Sequence, residues 1–287
     1  MRIELLILIS VTSVFLGCSH TDKNSPNLVE FHCTPAKEFI TTVSYLRQAR
    51  AFKLSEEEMR STALSVAKGC VDAAKRFINT VDLLVTARLP GKAAVRLGIE
   101  MASRTNEQSD AFEKVFKSAF SKAGLDLNLP ESVDVAEQIA AMTKEKSVYA
   151  ADDFDQLVHY CVSKEQLNLP RTYCYRLAMK LSLSNEDRER GIAEAFIDHI
   201  EFMVKDDEGP KLTTKAALEI ASELIAISPF APSNFEEAYR FAVTKPGLGM
   251  TRSDGVAFAK KLAAHTRQLK SDASSESGSK LTLIAEP

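Results

Sequence analysis

Five cysteines offer the most definite chemistry in this sequence. Cys18 follows an apolar stretch near the N-terminus, and the other four are Cys33, Cys70, Cys161 and Cys174. In an exported chain, four thiols permit two disulfides in one of three connectivities. We predict that Cys33 pairs with Cys70 and that Cys161 pairs with Cys174. The alternative is that all four are buried free thiols, since Cys packs well as a small apolar residue.

The segment before Cys18 predicts export. Its apolar run, from Leu5 to Leu16, is too short to cross a bilayer, which needs about 20 residues. We therefore assign residues 1–17 to a secretory signal peptide. Residues 18–35 are polar, apart from a few side chains, and are interpreted as a tether to the folded part.

The end of the signal points to lipidation. The run closes with Phe15-Leu16-Gly17-Cys18-Ser19, and a small residue directly before a Cys resembles the lipobox of bacterial lipoproteins. The resemblance implies that Cys18 is acylated and holds the protein in the cell envelope, facing the periplasm. Ser19 is not the Asp that often retains such lipoproteins in the inner membrane, which favours the outer membrane. An ordinary signal peptide cut near the same place is the alternative.

Catalytic motifs were sought and not found. The five His include no pair at metal-ligand spacing, and there is no Gly-x-Ser-x-Gly, Walker-type or Gly-x-Gly-x-x-Gly sequence. His159 and His199 fall within helical patterns and are interpreted as packed, satisfied side chains. Glu131-Ser132 is similar to the catalytic Glu-Ser of lytic transglycosylases, but the companion Gly-Leu-Met-Gln-like segment of that family is absent. No cofactor or metal is predicted, and the protein is expected not to be an enzyme.

The composition favours helices. Only 11 Gly and 10 Pro occur in 287 residues. Proteins built of short strands need many turns, and Gly and Pro are the residues that form them, so a β-rich fold is disfavoured. The formal net charge of −3 does not indicate nucleic-acid binding, which is typical of basic proteins. The charge is nevertheless uneven, with 10 basic and 6 acidic residues over 39–102 but 23 basic and 29 acidic residues over 103–287.

A repeat organises the body of the chain. Its anchor is a Phe that opens a helical pattern, with spacings of 38, 35, 42, 42 and 39 residues: Phe39, Phe77, Phe112, Phe154, Phe196 and Phe235. Apolar or small residues follow at +4 and +7 in every unit, which places them on one helical face. These are Val43, Val81, Phe116, Val158, Ile200 and Tyr239 at +4, and Leu46, Leu84, Ala119, Cys161, Met203 and Ala242 at +7.

The second half of each unit also repeats. A Leu or Met near +15 precedes a second helix: Leu54, Leu89, Leu127, Leu169, Leu212 and Met250. That helix carries a small residue, which permits close packing, and a larger apolar residue three positions later. The small residues are Ala63, Gly98, Ala136, Ala178, Ala221 and Ala259, and the larger ones are Val66, Met101, Ile139, Leu181, Leu224 and Leu262.

The repeat predicts an all-α fold of about six helical hairpins over residues 36–268. One hairpin cannot bury its apolar face alone, so stacking into a right-handed superhelical α-solenoid is expected. A period of 35–42 residues resembles HEAT-type repeats in architecture only. An irregular helical bundle is the alternative. The Ser-rich residues 269–287 are predicted to be a disordered tail.

These features predict an anchored protein-binding or scaffolding module, because solenoids hold extended or helical partners on their surfaces. The expected partner is an unidentified protein or peptide of the cell envelope. The alternative is a cell-envelope enzyme or cell-wall-binding protein, similar to lytic transglycosylases, with a site assembled across repeats. Convergent carboxylates in a pocket would favour the enzyme, and a groove without them would favour the scaffold.

Overall fold

The computed structural model describes residues 33–49, 52–183 and 192–266, and within these ranges it contains twelve α-helices and no strand. The predicted all-α fold is confirmed. The helices are α1 Pro35–Gln48, α2 Glu56–Ala67, α3 Ala73–Thr86, α4 Gly91–Ala102, α5 Asn106–Phe120, α6 Leu129–Ala140, α7 Lys144–Val162, α8 Arg171–Leu183, α9 Ile192–Val204, α10 Thr214–Ile227, α11 Ala231–Val243 and α12 Arg252–Ala264.

In each expected hairpin an odd-numbered helix A is followed by an even-numbered helix B. The two helices pack on each other in five of them: α1 on α2, α3 on α4, α7 on α8, α9 on α10 and α11 on α12. The chain divides into two compact units, Met1–Asn106 and Glu107–Pro287. In the first unit α1 packs on α3 and α2 on α4. In the second, α7 packs on α9, α9 on α11 and α10 on α12. Within each unit, helices A thus contact helices A and helices B contact helices B, whereas the right-handed superhelix stays a prediction.

The repeated apolar positions form the core. Five of the six anchor Phe side chains are fully buried, and Phe39 of the first hairpin is half-buried. The larger apolar residue of helix B is likewise buried in the first five hairpins, but Leu262 is 46% exposed. Both exceptions lie in terminal hairpins, which have a neighbouring hairpin on only one side in the described part of the chain. Burial therefore comes from stacking as well as from the hairpin itself.

The small residue of helix B is a packing requirement. At Gly98 an added Cβ would lie 2.6 Å from a methyl group of Val81 and 2.9 Å from the ring of Phe77. Since real Cβ atoms do not approach so closely, a larger residue would push α4 away from α3. The alanines at this position in the other five hairpins are all fully buried.

Every hairpin loop ends on a residue in the left-handed conformation, directly before the Leu or Met of the +15 position. Only one of the six is Gly: they are Lys53, Arg88, Asp126, Asn168, Lys211 and Gly249, with φ between 48° and 68°. The left-handed turn reverses the chain, and the next N–H then donates to a carbonyl at the end of helix A. Two examples are Leu127 N to Ala119 O and Leu169 N to Cys161 O, both 2.9 Å.

We expect substitutions at two of the left-handed positions to change the free energy of unfolding in opposite directions. Arg88→Gly should raise the free energy of unfolding by about 0.5–1 kcal/mol, because relief of the side-chain clash exceeds the added flexibility of the unfolded chain. Gly249→Ala should lower it by about 1 kcal/mol, because Ala is strained at φ 60°. Urea unfolding of both variants measures this, and destabilisation by Arg88→Gly would contradict it.

Buried carboxylates join one hairpin to the next. Glu38 and Asp153, each directly before an anchor Phe, are 5% and 1% exposed. Glu38 Oε2 accepts a hydrogen bond from Ala74 N at 2.6 Å, and Asp153 Oδ1 accepts one from Ala193 N at 2.9 Å. The donors lie in the first turns of α3 and α9, where backbone N–H groups have no helical acceptor. Each carboxylate therefore caps the following helix A from outside.

The same position in the second hairpin is occupied by a buried cation. Arg76 donates to the carbonyl of Ala102 at 2.8 Å and to Asn106 Oδ1 at 2.6 Å, and Asn106 is the residue at which α5 begins. Because a guanidinium only donates, Arg76 satisfies oxygen acceptors and does not cap a helix N-terminus as Glu38 and Asp153 do. The role of this position is not evident from the sequence, because the residues that occupy it share no type.

Loss of the Asp153 cap should destabilise the fold more than loss of the neighbouring surface ion pair of Asp152. Asp153→Ala should lower the free energy of unfolding by about 2 kcal/mol, because the buried N–H of Ala193 loses a charged acceptor. Asp152→Ala is the matched control, since its exposed pair with Lys114 should contribute less than about 0.5 kcal/mol. Equal losses in urea unfolding would show that Asp153 does not cap α9.

Candidate functional site

The residues predicted to direct export and lipidation lie outside the described part of the chain. Cys18, the signal segment 1–17 and most of the tether 18–35 precede residue 33. The Ser-rich tail 269–287 follows residue 266. The signal, the lipidation and the disordered tail stay predictions.

The other four cysteines lie in two disulfides. Cys33 is bonded to Cys70, with their Cα atoms 4.9 Å apart, and Cys161 is bonded to Cys174, with their Cα atoms 5.5 Å apart. The first ties the start of the described chain to the loop between α2 and α3. The second joins α7 to α8 near the loop of the fourth hairpin. Both are structural crosslinks, and none of these four sulfurs is a free nucleophile.

Glu131 does not form a catalytic site. It is exposed in the first turn of α6, and its backbone N–H donates to the capping Asn128 Oδ1 at 3.0 Å. A glycosidase acid needs an enclosed environment that holds its proton near neutral pH. An acid in a first turn is accounted for by the helix dipole alone.

His199 is more unusual than its sequence pattern indicated. The side chain is fully buried in α9, and Nδ1 lies 3.1 Å from Oε1 of Glu236 in α11. Nε2 has no hydrogen-bond partner among the described residues. His159, by contrast, is half-exposed and lies 3.3 Å from Asp155. The interpretation of His199 as a fully satisfied packing residue is therefore incomplete.

The Glu236 contact lies at the edge of a groove between α9 and α11. The groove encloses about 410 Å³ and is formed by side chains of the fifth and sixth hairpins. Its floor is the ring of Phe202, which is 5% exposed, and its walls are charged. The lining residues are Asp198, Glu201, Phe202, Lys205, Asp206, Glu236 and Arg240.

One end of the groove is acidic. The carboxylates of Asp198, Glu201 and Glu236 converge there, with Glu194 one turn before Asp198 on α9. Partial burial raises the pKa of Asp198, and the charges of Glu194, Glu201 and Glu236 raise it further. We call these four residues the acidic cluster. Like charges gathered this way disfavour their own ionised forms, so a cation brought among them would be stabilised.

The other end of the groove holds paired cations. The guanidinium of Arg240 lies 4.9 Å from the centre of the Phe202 ring, an arrangement that favours a cation–π contact. Arg240 also pairs with Asp206 at 3.3 Å and with Glu208. Lys205 pairs with Glu201 at 2.8 Å. The basic groups thus have anionic partners at this end, while Asp198 has no ion-pair partner in the described part of the chain.

A buried hydroxyl lies beside the acidic cluster. Tyr160 of α7 is 3% exposed, and its hydroxyl has no hydrogen-bond partner among the described residues. Burial raises the pKa of Tyr160 to about 12, and the charges of Glu201 and Asp198 contribute to that rise. The hydroxyl is therefore close enough to the cluster for these charges to act on it, and it stays neutral.

A second groove lies between α2 and α4 in the first unit, with a volume of about 460 Å³. Its charges neutralise one another. Lys92 lies 2.7 Å from Glu58, and this hydrogen bond, with those from Ser55, lowers the pKa of Glu58 to about 2. The groove between α9 and α11 differs because the negative charge of Asp198 has no ion-pair partner among the described residues. It is therefore the stronger candidate for a binding site.

The acidic cluster was not predicted from the sequence, although three of its four residues show a helical spacing there. Glu194, Asp198 and Glu201 are spaced by four and three residues, which places them on one face of α9. The position of Glu236 depends on the stacking of α11 on α9. Only the three-dimensional contacts of successive hairpins bring all of these groups together.

Comparison of the chain with known protein families, with curated proteins and with solved structures finds no match. In residues 33–49, 52–183 and 192–266, no three His, Cys, Asp or Glu side chains are arranged to hold a metal ion. Among the same residues, none of the helices has both the length and the apolar character that a bilayer crossing requires.

The buried hydroxyl predicts a specific response to alkali. Above pH 10 an unfolded Tyr releases its proton while the folded Tyr160 keeps it up to about pH 12, so stability falls as pH rises through this window. Tyr160→Phe should remove part of that loss and leave stability at pH 7 unchanged or slightly higher. Tyr173→Phe, at a site that is 43% exposed, is the control and should lose stability as wild type does. Urea unfolding at pH 7 and above pH 10 measures both, and identical alkaline losses in the two variants would contradict the assignment.

Proposed function

We propose that this protein is a lipid-anchored periplasmic lipoprotein whose helical hairpins form a protein-binding or scaffolding module without enzymatic activity. The observation that supports this most directly is the groove between α9 and α11. It is assembled from two successive hairpins, and it is open to solvent. Most of its lining side chains are charged and lie outside the apolar core. A surface of this kind suits recognition of another chain.

The anchor supports the same proposal from the sequence. Acylation of Cys18 would place two or three chains in the membrane, and each buried CH₂ contributes about 0.8 kcal/mol. A single chain binds only marginally, whereas two or more give stable attachment. Residues 19–32 would then separate the folded repeats from the lipid surface. Ser19 favours the outer membrane as the anchoring site.

The anchor is tested by substitution of the acylated residue. Cys18→Ala should move the protein from the membrane fraction to the soluble fraction, because the sulfur that carries the lipid is lost. Ser19→Ala keeps the sulfur and should stay with the membranes. Fractionation of cells and detergent-phase partitioning measure both. A Cys18→Ala protein that stays membrane-bound would contradict the lipid anchor.

The binding function is tested by chemical crosslinking of native envelopes followed by affinity purification. We expect a reproducible partner that is recovered with the full chain and lost when Asp153→Ala loosens the stacking of α9 on α7. Recovery of the same proteins with both chains would show adhesion that does not need the folded repeats, and recovery of none would contradict the binding function.

The convergent carboxylates also favour a second candidate, a cell-wall enzyme similar to lytic transglycosylases. The raised pKa of Asp198 is the specific observation, since such an enzyme needs a carboxylic acid that keeps its proton. Digestion of purified sacculi by the wild type, abolished by Asp198→Asn and unaffected by Glu131→Gln, would establish the enzyme and displace the scaffold. Absence of digestion by the wild type would exclude it.

A further inference from the structure

We propose that the apolar side chains exposed on the last hairpin are covered by a later segment of the same chain, residues 281–284. The exposed side chains are Phe241, Leu248 and Leu262, which we call the end face. The inference goes beyond the proposed binding function and does not depend on it. It is argued from the positions of these side chains, from the length of chain that follows residue 266 and from the charges on both sides.

Leu262 shows why the end face is exposed. It is the larger apolar residue of helix B, and the residues at this position in the first five hairpins are all buried. Ala259, three residues earlier, is fully buried as in the other hairpins, so the contact within the last hairpin is intact. What the last hairpin lacks, in the described part of the chain, is a following hairpin.

Phe241 occupies a position that contacts the next hairpin elsewhere in the chain. It lies six residues after the anchor Phe and is 56% exposed. At the same position Tyr45 packs edge-on against Phe77 of the second hairpin, with the ring centres 6.0 Å apart. Phe202 likewise packs edge-on against Tyr239 of the sixth hairpin at 5.8 Å. Phe241 thus presents an inter-hairpin contact without its partner.

Leu248 repeats this pattern in the loop, thirteen residues after the anchor Phe. At this position Phe52 is buried, and a Cβ added to Gly91 at the start of α4 would lie 2.7 Å from its ring. Leu125 is also buried, whereas Leu248 is 47% exposed. The N–H of Leu248 donates to the carbonyl of Phe241 at 3.2 Å, so the two residues are neighbours. The end face therefore has the composition of one half of an interface between hairpins.

The chain itself contains a segment suited to cover this surface. Terminal units of stacked repeats need a polar outer face, because an exposed apolar patch promotes association. After residue 266 the sequence has one short apolar run, at 281–284, with the side chains of Leu281, Leu283 and Ile284. The inference limits the predicted disordered segment to residues 269–280, which act as the spacer.

The spacer is long enough for this contact. Residues 267–280 form a stretch of 14 residues, and a Ser-rich chain of that length has a root-mean-square span of about 20 Å. α12 has 13 residues and is therefore about 20 Å long, so the segment can reach any part of the end face. A tether of this kind gives an effective concentration of about 1 mM, at which even a weak apolar contact is populated.

Charge favours this segment over a second copy of the protein. Lys245 lies in the loop between Phe241 and Leu248, and Lys261 directly precedes Leu262. Both lysines are exposed, and neither has an ion-pair partner among the described residues. Residues 271–287 carry three acidic residues and one basic residue. Two end faces brought together would oppose like charges, whereas the later segment brings acidic groups to the lysines.

The contact is tested by photo-crosslinking of the full chain in intact cells, with benzoylphenylalanine in place of Leu283. We expect crosslinks within one chain to peptides that contain Phe241, Leu248 or Leu262, identified by mass spectrometry after digestion. Benzoylphenylalanine in place of Ala273, within the spacer, is the matched control. It should give at most about one fifth of the yield at these peptides.

Substitution of the end face provides the second arm. Phe241→Ser combined with Leu262→Ser should lower the crosslink yield from position 283 about fivefold, because the apolar surface is lost. Tyr173→Ser removes a side chain of similar exposure from α8 and should leave the yield within about twofold of the wild type. Since all three side chains are exposed, the unfolding midpoints should stay close to that of the wild type. Equal yields from the end-face variant and the Tyr173→Ser variant would overturn the inference.

The remaining outcomes identify other occupants. Crosslinks that join two copies of the chain would show that a second copy covers the end face, and crosslinks to a different protein would show a partner there; either result overturns the inference. Crosslinks spread evenly over the described hairpins would overturn it as well. If the affinity purification recovers no envelope partner while these intrachain crosslinks form, the binding function is contradicted and the inference stands.

Discussion

The stacking depends, at two of the hairpins, on a helix A whose first turn is satisfied by a buried carboxylate of the hairpin before it. A helix that begins inside a packed stack exposes backbone N–H groups to a dry environment, where an unmet donor is costly. Glu38 and Asp153 meet that need for α3 and α9. Because Glu38 and Asp153 are buried and their hydrogen bonds are directional, they fix the rotation and height at which α3 meets α1 and α9 meets α7.

The groove is a consequence of that register. Asp153 holds the start of α9, so the face of α9 that carries Glu194, Asp198 and Glu201 stays turned to solvent beside α11. His199 and Glu236 then meet one repeat apart. No single hairpin contains the groove, since its walls belong to two. The same stacking that buries the anchor Phe side chains thus creates a charged surface, and the packing of the core and the placement of the polar groups are coupled.

Much of the fold follows from the sequence, because apolar side chains repeat in type. The Phe anchors, the small residues of helix B and the two cysteine pairs all fall at repeating or facing positions. The left-handed residue before each +15 position was not predicted, since Lys53, Arg88 and Lys211 are of types that do not favour this conformation, whereas only Asp126, Asn168 and Gly249 are of types that do. The inter-hairpin caps were missed for a related reason: Glu38 and Asp153 share a role without sharing a residue type, and Arg76 occupies the same position in the second hairpin. The groove required distances between repeats, which a single sequence does not contain.

The most direct test of this account is amide hydrogen exchange of the full chain, followed residue by residue by NMR. Ala74, Ala193 and Lys215 are each the second residue of a helix, where no helical carbonyl accepts the N–H. The account predicts that Ala74 and Ala193 exchange far more slowly than Lys215, because buried carboxylates accept their hydrogens. Equally fast exchange at all three would contradict the claim that Glu38 and Asp153 cap the helices that follow them.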